Sequence, residues 1–279
     1  YRDASGAGLG NTQTVNTNIP GIGAIQTSIV VNGPQSISMS CVYSNVEVFE
    51  YTATFNLNIA IPPAGYELWW SNCCRPPGII NLVNASGKGF DLRVKMFPGV
   101  VNSPRFMNPA NTAGVSGKNQ YFNHSVYDPD SQDSLYVTLA NPKEGSGSIA
   151  VNVPYDSAYS KTHPFGLNVP TTLDPHTGLL QVDSVPQGKY AVAFRVQSYT
   201  NGVLTSVIRR DVPFYFDPQG DIPSLTLNNL QGATLISGAN NSYILEMKEM
   251  DSLSFDLTGI TNQMTSGSPS SISLLGYGT

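Results

Sequence analysis

Alternation of apolar and polar residues with a period of two runs through much of the chain, and this pattern predicts β-strands with one buried face. No long stretch shows a convincing helical period. We therefore predict an all-β protein built from antiparallel β-sandwiches of the Ig-like or cadherin-like kind. The alternating apolar positions are Tyr51, Ala53, Phe55, Leu57, Ile59 and Ile61, then Leu92, Val94 and Met96, then Tyr190, Val192, Phe194 and Val196, and finally Leu253, Phe255 and Leu257.

Two proline-containing stretches divide this pattern. Residues 98–109 and residues 216–223 each follow a predicted strand and precede another, as linkers between domains do. We expect a β-sandwich domain at 1–101, a cadherin-like β-sandwich at 102–217 and the start of a third β domain at 218–279. Because residues 1–3 read as the end of a strand, we expect the first domain to be truncated and the chain to belong to a longer protein.

Composition narrows the class of protein. Charged residues make up 12% of the 279 residues, about half of the ~25% usual in soluble domains. Ser, Thr, Asn and Gln must then supply the polar surface, which is common in secreted β proteins. A formal net charge of -5 argues against nucleic acid as a partner. No apolar run is long enough for direct insertion into a membrane.

Three cysteines occur, at positions 41, 73 and 74. In the strand predicted for residues 66–74, Cys74 shares a face with Tyr66, Leu68 and Trp70, which look core-facing. In an extracellular protein we therefore expect a disulfide between Cys41 and Cys74, with Cys73 as the alternative partner. Two or three buried free thiols remain the other reading. The spacing does not fit a zinc site.

An acidic loop is the strongest candidate for a ligand site. Asp128, Asp130 and Asp133 lie within six residues around Pro129. Three carboxylates this close repel one another unless a cation or solvent screens them, and Ca²⁺ prefers such oxygen ligands. The spacing is not that of an EF-hand. The alternative is a solvated polar turn in which Asp128 caps the backbone. Asp217 and Asp221 are weaker candidates for carboxylates at a domain junction.

Catalytic motifs are missing from the sequence. There is no G-x-S-x-G, H-E-x-x-H or Walker A pattern, and the three histidines stand apart. We therefore expect a protein that is not an enzyme. Trp69 and Trp70 are adjacent, so one of them should point away from the core if they lie in a strand. That ring would be a platform for glycan stacking, or it would pack under a loop or a neighbouring domain.

Short segments spread along the chain together resemble a known family: 1–3, 73–75, 79–82 with Asn84, 102–106 with 108–109, 122–124 leading into 128–130, 163–166, 174–178, and 201–204 continuing to 209–211. The chain is similar to the repetitive cadherin-like or PKD-like surface adhesins of gliding Bacteroidota, which usually leave the cell by type IX secretion. The acidic loop of that family reads D-P-D-G-D-S, whereas Ser131 and Gln132 here displace the third acid, and Ala4 stands where the family often has Cys.

The resemblance implies a non-catalytic segment of a large secreted adhesin or appendage at the cell surface. Its β-sandwiches would act in gliding, adhesion or cell–cell contact. The implied partners are neighbouring domains of the same long chain, a surface polysaccharide, a substratum, another cell, or further copies of the chain in a homo-oligomer. A carbohydrate-binding module of a secreted enzyme is one alternative function, and a self-assembling filament or sheath subunit is the other.

Overall fold

The structure is a computed structural model that describes residues 12–19, 23–30, 35–36, 49–50, 60–108, 110, 112–146, 149–218, 224–239, 242–246, 248 and 252–260, the first four ranges as backbone only. The regular elements of its described part are β-strands, apart from one 3-10 turn at Ala85–Gly87. The all-β prediction is confirmed, and nearly all strand pairs are antiparallel. The alternating strand predicted at 51–61 falls mostly outside the described residues.

Among the described residues, six strands precede residue 100. They are Thr12–Ile19 (β1), Gly23–Val30 (β2), Gln35–Ser36 (β3), Phe49–Glu50 (β4), Tyr66–Asn72 (β5) and Phe90–Met96 (β6). Ten lie between 100 and 200: Arg105–Phe106 (β7), Thr112–Val115 (β8), Gln120–Asn123 (β9), Val126–Tyr127 (β10), Asp133–Ala140 (β11), Lys143–Ser146 (β12), Ile149–Asn152 (β13), Thr171–Leu173 (β14), Leu179–Val182 (β15) and Gly188–Thr200 (β16). The last five are Val203–Asp217 (β17), Ser224–Gln231 (β18), Thr234–Ala239 (β19), Ser242–Glu246 (β20) and Ser254–Ile260 (β21).

One eight-stranded sheet dominates the molecule. Its strand order is β11-β16-β17-β6-β5-β1-β2, and β8 joins β17 in a parallel pair. The smaller sheets are β9-β15-β14 and the two-stranded pairs β7-β10, β12-β13, β18-β21, β19-β20 and β3-β4.

A long hairpin forms the centre of the large sheet. β16 and β17 pair from Gly188↔Phe216 to Thr200↔Val203, and only Asn201 and Gly202 lie between them. Both turn residues have positive φ, 52° and 79°. This is the two-residue turn whose twist matches that of antiparallel strands, and it favours Asn-Gly. The sequence pattern at 190–204 therefore produces the hairpin locally.

The main core lies on one face of this hairpin. It contains Tyr190, Val192, Phe194 and Val196 of β16 together with the even-numbered residues of β17 from Ile208 to Phe216, except Arg210. Phe165 inserts among them and meets the rings of Tyr190, Phe214 and Phe216 edge to face at 5.2–5.5 Å. A second, smaller cluster on the opposite face contains Ile79, Leu82, Ala85, Val153 and Ala191. Both faces of β16 are therefore covered near residue 191.

Strands from both sides of residue 101 share the large sheet. β6 pairs with β17 through Val94↔Ile208 and its neighbours, and β5 pairs with β6 along its whole length. Buried polar contacts join the same segments: Arg75 donates two hydrogen bonds to Asp211 at 2.7 and 2.9 Å. The limits 1–101, 102–217 and 218–279 stay a prediction, but any division must accommodate this continuous pairing across 101.

The predicted linker at 98–109 is also tied down. Phe97 donates its backbone N–H to the carbonyl of Thr205 at 2.8 Å. Within the linker, β7 pairs with β10 through Arg105↔Tyr127 and Phe106↔Val126. These bonds hold the segment against the body that contains the long hairpin. The prolines predict that a strand is interrupted at this point. They do not predict whether the segment that follows stays packed against the sheet.

Candidate functional site

The acidic loop lies where the sequence places it, between β10 and β11. Asp128 and Asp130 follow β10, and Asp133 is the first residue of β11. One carboxylate oxygen from each of these three residues lies within 4.8 Å of the other two. The fold therefore brings together all three predicted metal-ligating residues.

Hydrogen bonds fix each carboxylate of this loop. Asp130 accepts from the backbone N–H and the side-chain amide of Asn102 at 2.8 and 2.7 Å. Asp133 accepts from the hydroxyls of Ser198, at 2.7 Å, and Thr200, both on β16. Asp128 accepts from the backbone N–H of Asp130 at 3.1 Å and faces the Ser198 hydroxyl at 3.2 Å. The loop thus connects the 98–109 segment to the long hairpin.

The electrostatics of the loop favour a positive ligand. Partial burial raises the pKa of Asp128, and the charges of Asp133 and Asp130 raise it further, against the lowering effect of its hydrogen bonds. Carboxylate oxygens are hard ligands that suit Ca²⁺, and each retains lone pairs beyond its hydrogen bonds. The donor set therefore fits calcium in chemical type. Because Ca²⁺ takes about 6–8 oxygen ligands, water would complete its coordination.

The structure does not bury the tryptophan that the sequence pattern predicted to be buried. Trp69 is 2% exposed, and the guanidinium of Arg93 lies 5.1 Å from its ring centre. A ring this buried cannot stack on a glycan, so the stacking role predicted for Trp69 is wrong. Trp70 is partly exposed. The alternation of apolar residues predicted that Trp70 faces the core together with Tyr66. In the structure Tyr66 and Trp69, which lie on opposite faces of β5, are both buried because this part of the sheet is covered on both sides.

The disulfide also differs from the prediction. The structure bonds Cys73 to Cys74, with a cis peptide bond between them, and Cys41 lies outside the described residues. The predicted Cys41–Cys74 bridge, with Cys73 as alternative, is therefore replaced by a vicinal one. The reason is that β5 ends at Asn72. The alternation that placed Cys74 on a core face stops before the cysteines, so their sequence parity carries no information.

The structure describes one of the two weaker acidic candidates. Asp217 is the last residue of β17, and its side chain is exposed. Its backbone carbonyl accepts the N–H of Ser116 at 3.0 Å, next to the parallel pairing with β8. Asp221 lies outside the described residues.

His124 is a buried residue between two short strands, since β9 ends at Asn123 and β10 begins at Val126. His124 is 2% exposed, and neither ring nitrogen has a hydrogen-bond partner among the described residues. Its ring lies 4.3 Å from that of Phe194 and 5.5 Å from that of Phe214. Burial, and secondly the charge of Arg210, lowers the pKa of His124 to about 3.

The sequence pattern also missed the buried polar anchors of segment 75–85. Arg75 is fully buried against Asp211, and Asn81 is fully buried against the backbone of Ala191. The Asn81 side chain donates to the carbonyls of Ala191 and Pro164 and accepts from the N–H of Ala191, each at 2.9 Å. Charged and amide side chains usually signal surface. Only the three-dimensional partners reveal that these two are structural.

A comparison with protein-family models, curated proteins and solved structures finds no match for this chain. Among the described residues, no helix has the length and apolar character needed to cross a membrane.

Proposed function

We propose that the chain is a non-catalytic segment of a secreted cell-surface adhesin or appendage, in which β-sheet units present polar faces to a polysaccharide, a substratum or another cell. The observation that carries the proposal is the long hairpin β16–β17 at the centre of an eight-stranded sheet. Many backbone hydrogen bonds run side by side along this hairpin and its neighbours. Such an arrangement suits a protein segment that must keep its shape while it binds to a surface.

Composition supports the same proposal. Low charge and abundant Ser, Thr, Asn and Gln make surfaces that form hydrogen bonds without strong electrostatic repulsion from other surfaces. The acidic loop supports it as well, because it binds the linker residue Asn102 and the hairpin residue Ser198 at one place. Calcium in this loop, as we propose, would hold the linker segment against the sheet.

Bead retention under flow tests the adhesive function. Beads coated with the folded chain are expected to stay on a polysaccharide film, on bare glass or on cells at shear that removes beads coated with the heat-denatured chain. Retention no better than the denatured control on all three supports would overturn the proposal. Retention on one neutral polysaccharide alone, lost in Trp70→Ala, would favour a carbohydrate-binding module. Ordered polymers of the purified chain in electron micrographs would favour a filament subunit.

A further inference from the structure

Basic side chains converge on the outer face of the large sheet, opposite the main core. Phe194 and Val196 of β16 and Ile208 of β17 are core residues, so Arg195 and Arg209 project from the other face. These two arginines are direct cross-strand partners. β12 packs against β5 and β6 at the side of this surface and carries Lys143. We name Lys143, Arg195 and Arg209 the cationic face.

Nearby carboxylates are already engaged by other cations. Asp91 and Glu67 accept from Arg93 at 2.5 and 3.2 Å, and Asp211 is held by Arg75 at 2.7 Å.

The cations of the cationic face, by contrast, have neutral acceptors. Arg195 donates to the Gln197 side chain at 2.8 Å, and Arg209 donates to the carbonyl of Asn141 at 2.9 Å. Within the described part of the chain, neither arginine nor Lys143 forms an ion pair. The Nε–H of Arg195 is buried with no acceptor among the described residues.

Two like charges lie directly opposite each other on the cationic face, in a chain whose net charge is -5. Burial, and next the charge of Arg195, lowers the pKa of Arg209, while the charges of Asp91 and Asp211 act in the opposite direction. Burial, and next the charges of Arg209 and Arg93, lowers the pKa of Lys143, while the charges of Asp91 and Glu67 act in the opposite direction. Like charges directly opposite each other on a sheet are destabilising. An anionic group placed between them would remove that repulsion and give the guanidinium groups acceptors of the kind they bind best.

Neutral and aromatic groups border the cationic face. In the register of β11 and β16, Thr138 lies opposite Arg195, and Tyr136 lies opposite Gln197. Tyr136 is 43% exposed and rests against the ring of His176 at 6.0 Å. A hydroxyl, an amide and an exposed aromatic ring beside cations match a ligand that combines negative charge with hydroxyl groups and flat ring faces. Acidic polysaccharides have that combination.

From this arrangement we infer that the cationic face binds the carboxylate or sulfate groups of an acidic polysaccharide, with Arg195 and Arg209 as the residues that contact the anion. The inference rests on the proposed adhesive function and names the class of surface that this part of the chain would engage. Nucleic acid is the weaker occupant, because a duplex needs several neutralised phosphates and the chain has a net charge of -5.

Binding of polygalacturonate, dextran sulfate and neutral dextran, measured by titration calorimetry on the full chain, tests the inference. At low salt we expect binding to at least one of the charged polymers and none to dextran. The doubly substituted Arg195→Gln, Arg209→Gln chain should bind at least about tenfold more weakly, because two charge-assisted contacts are lost. The doubly substituted Lys118→Gln, Lys161→Gln chain changes the net charge equally at exposed positions and should stay within about twofold of the parent.

Equal weakening in both doubly substituted chains, equal binding of dextran, equal binding of single-stranded DNA or no binding of either charged polymer would overturn the inference. Circular dichroism and melting temperature verify that each variant is folded. An Arg195→Lys, Arg209→Lys chain, which retains the charges, should bind more tightly than the glutamine variant. Beads that still adhere when coated with the glutamine variant would refute the inference while leaving the adhesive function intact. Beads of the parent chain that adhere nowhere would refute the adhesive function itself.

Discussion

His124 places an ionisable ring in the apolar core between Phe194 and Phe214. Its folded-state pKa of about 3 lies below the ordinary value of 6.5. The unfolded chain therefore binds a proton more readily than the folded chain between these two values. The stability associated with a neutral His124 is present above pH 6.5 and is lost as the pH falls towards 3.

We expect the free energy of unfolding to be about 2 kcal/mol lower at pH 5 than at pH 7.5 because of this one residue, since each unit of pH contributes about 1.4 kcal/mol. Denaturant titrations at the two values measure it. In His124→Phe the apolar ring fits the same neighbours and the difference should shrink by that amount. The His176→Gln chain, altered at an exposed histidine, should retain the full difference. An unchanged pH dependence in His124→Phe would contradict the expectation.

Sequence reasoning at the level of single residues succeeded where chemistry was local. The acidic loop needed only the short spacing of Asp128, Asp130 and Asp133, and the fold brings these three together. It failed where burial depended on distant segments. Trp69 is buried beneath Arg93, and Arg75 is buried against a residue 136 positions away. No local pattern around either residue encodes these partners.

At the scale of elements, two tight turns require glycine for different reasons. Gly202 of the hairpin turn has φ 79° and open space around the position of a Cβ. Gly178, after the Asp174 turn, has φ 72°, and a Cβ there would lie 2.6 Å from the carbonyl oxygen of His124. The backbone N–H of His124 also donates to Gly178 at 3.0 Å. The second glycine is therefore a point of close backbone approach as well as a turn.

Alanine at the two positions separates these effects. Gly202→Ala should cost about 1 kcal/mol, which is the penalty for a left-handed conformation. Gly178→Ala should cost about 2–4 kcal/mol, since crowding against the backbone adds about 1–3 kcal/mol. Urea unfolding of both variants measures the difference. Equal costs would contradict this expectation, because they would mean that the ends of β9 and β15 shift to make room for the alanine Cβ at no cost in free energy.

Hydrophobic periodicity predicted the positions of the strands better than it predicted where they end. β6 and β16 appear where Leu92, Val94 and Met96 and where Tyr190 to Val196 predict them. β5, however, ends at Asn72, two residues before the predicted end, and this removed the basis for the Cys41–Cys74 bridge. Alternation reports a buried face, while the end of a strand depends on where its hydrogen-bonding neighbour ends.

At the scale of the whole molecule, the acidic loop connects the segment around Asn102 to β16 and so bears on global stability. A bound cation would add RT ln(1 + [Ca²⁺]/Kd) to the free energy of unfolding. For affinities in the ~10⁻⁴–10⁻³ M range of extracellular modules, 5 mM calcium would contribute about 1–2 kcal/mol.

Melting in 5 mM calcium and in chelator checks this expectation. The folded chain should melt about 2–8 °C higher with calcium, and Asp130→Asn should remove most of that increment. Asp183→Asn alters an acid outside the loop and should preserve it. Superimposable curves with and without calcium would show that the loop is a polar turn, and the adhesive function would not depend on it.

Pairing of β6 with β17 has a consequence for the order of folding. The hairpin β16–β17 closes through a two-residue turn and can form within microseconds. Its edge at Ser206–Ile208, however, awaits β6, which is more than a hundred residues earlier in the chain, and long loop closures of this kind slow folding. During synthesis β6 exists before β17, whereas β5 already has β1 and β6 as its neighbours. Until β17 is made, the open edge of β6 is exposed to pairing with the wrong strand.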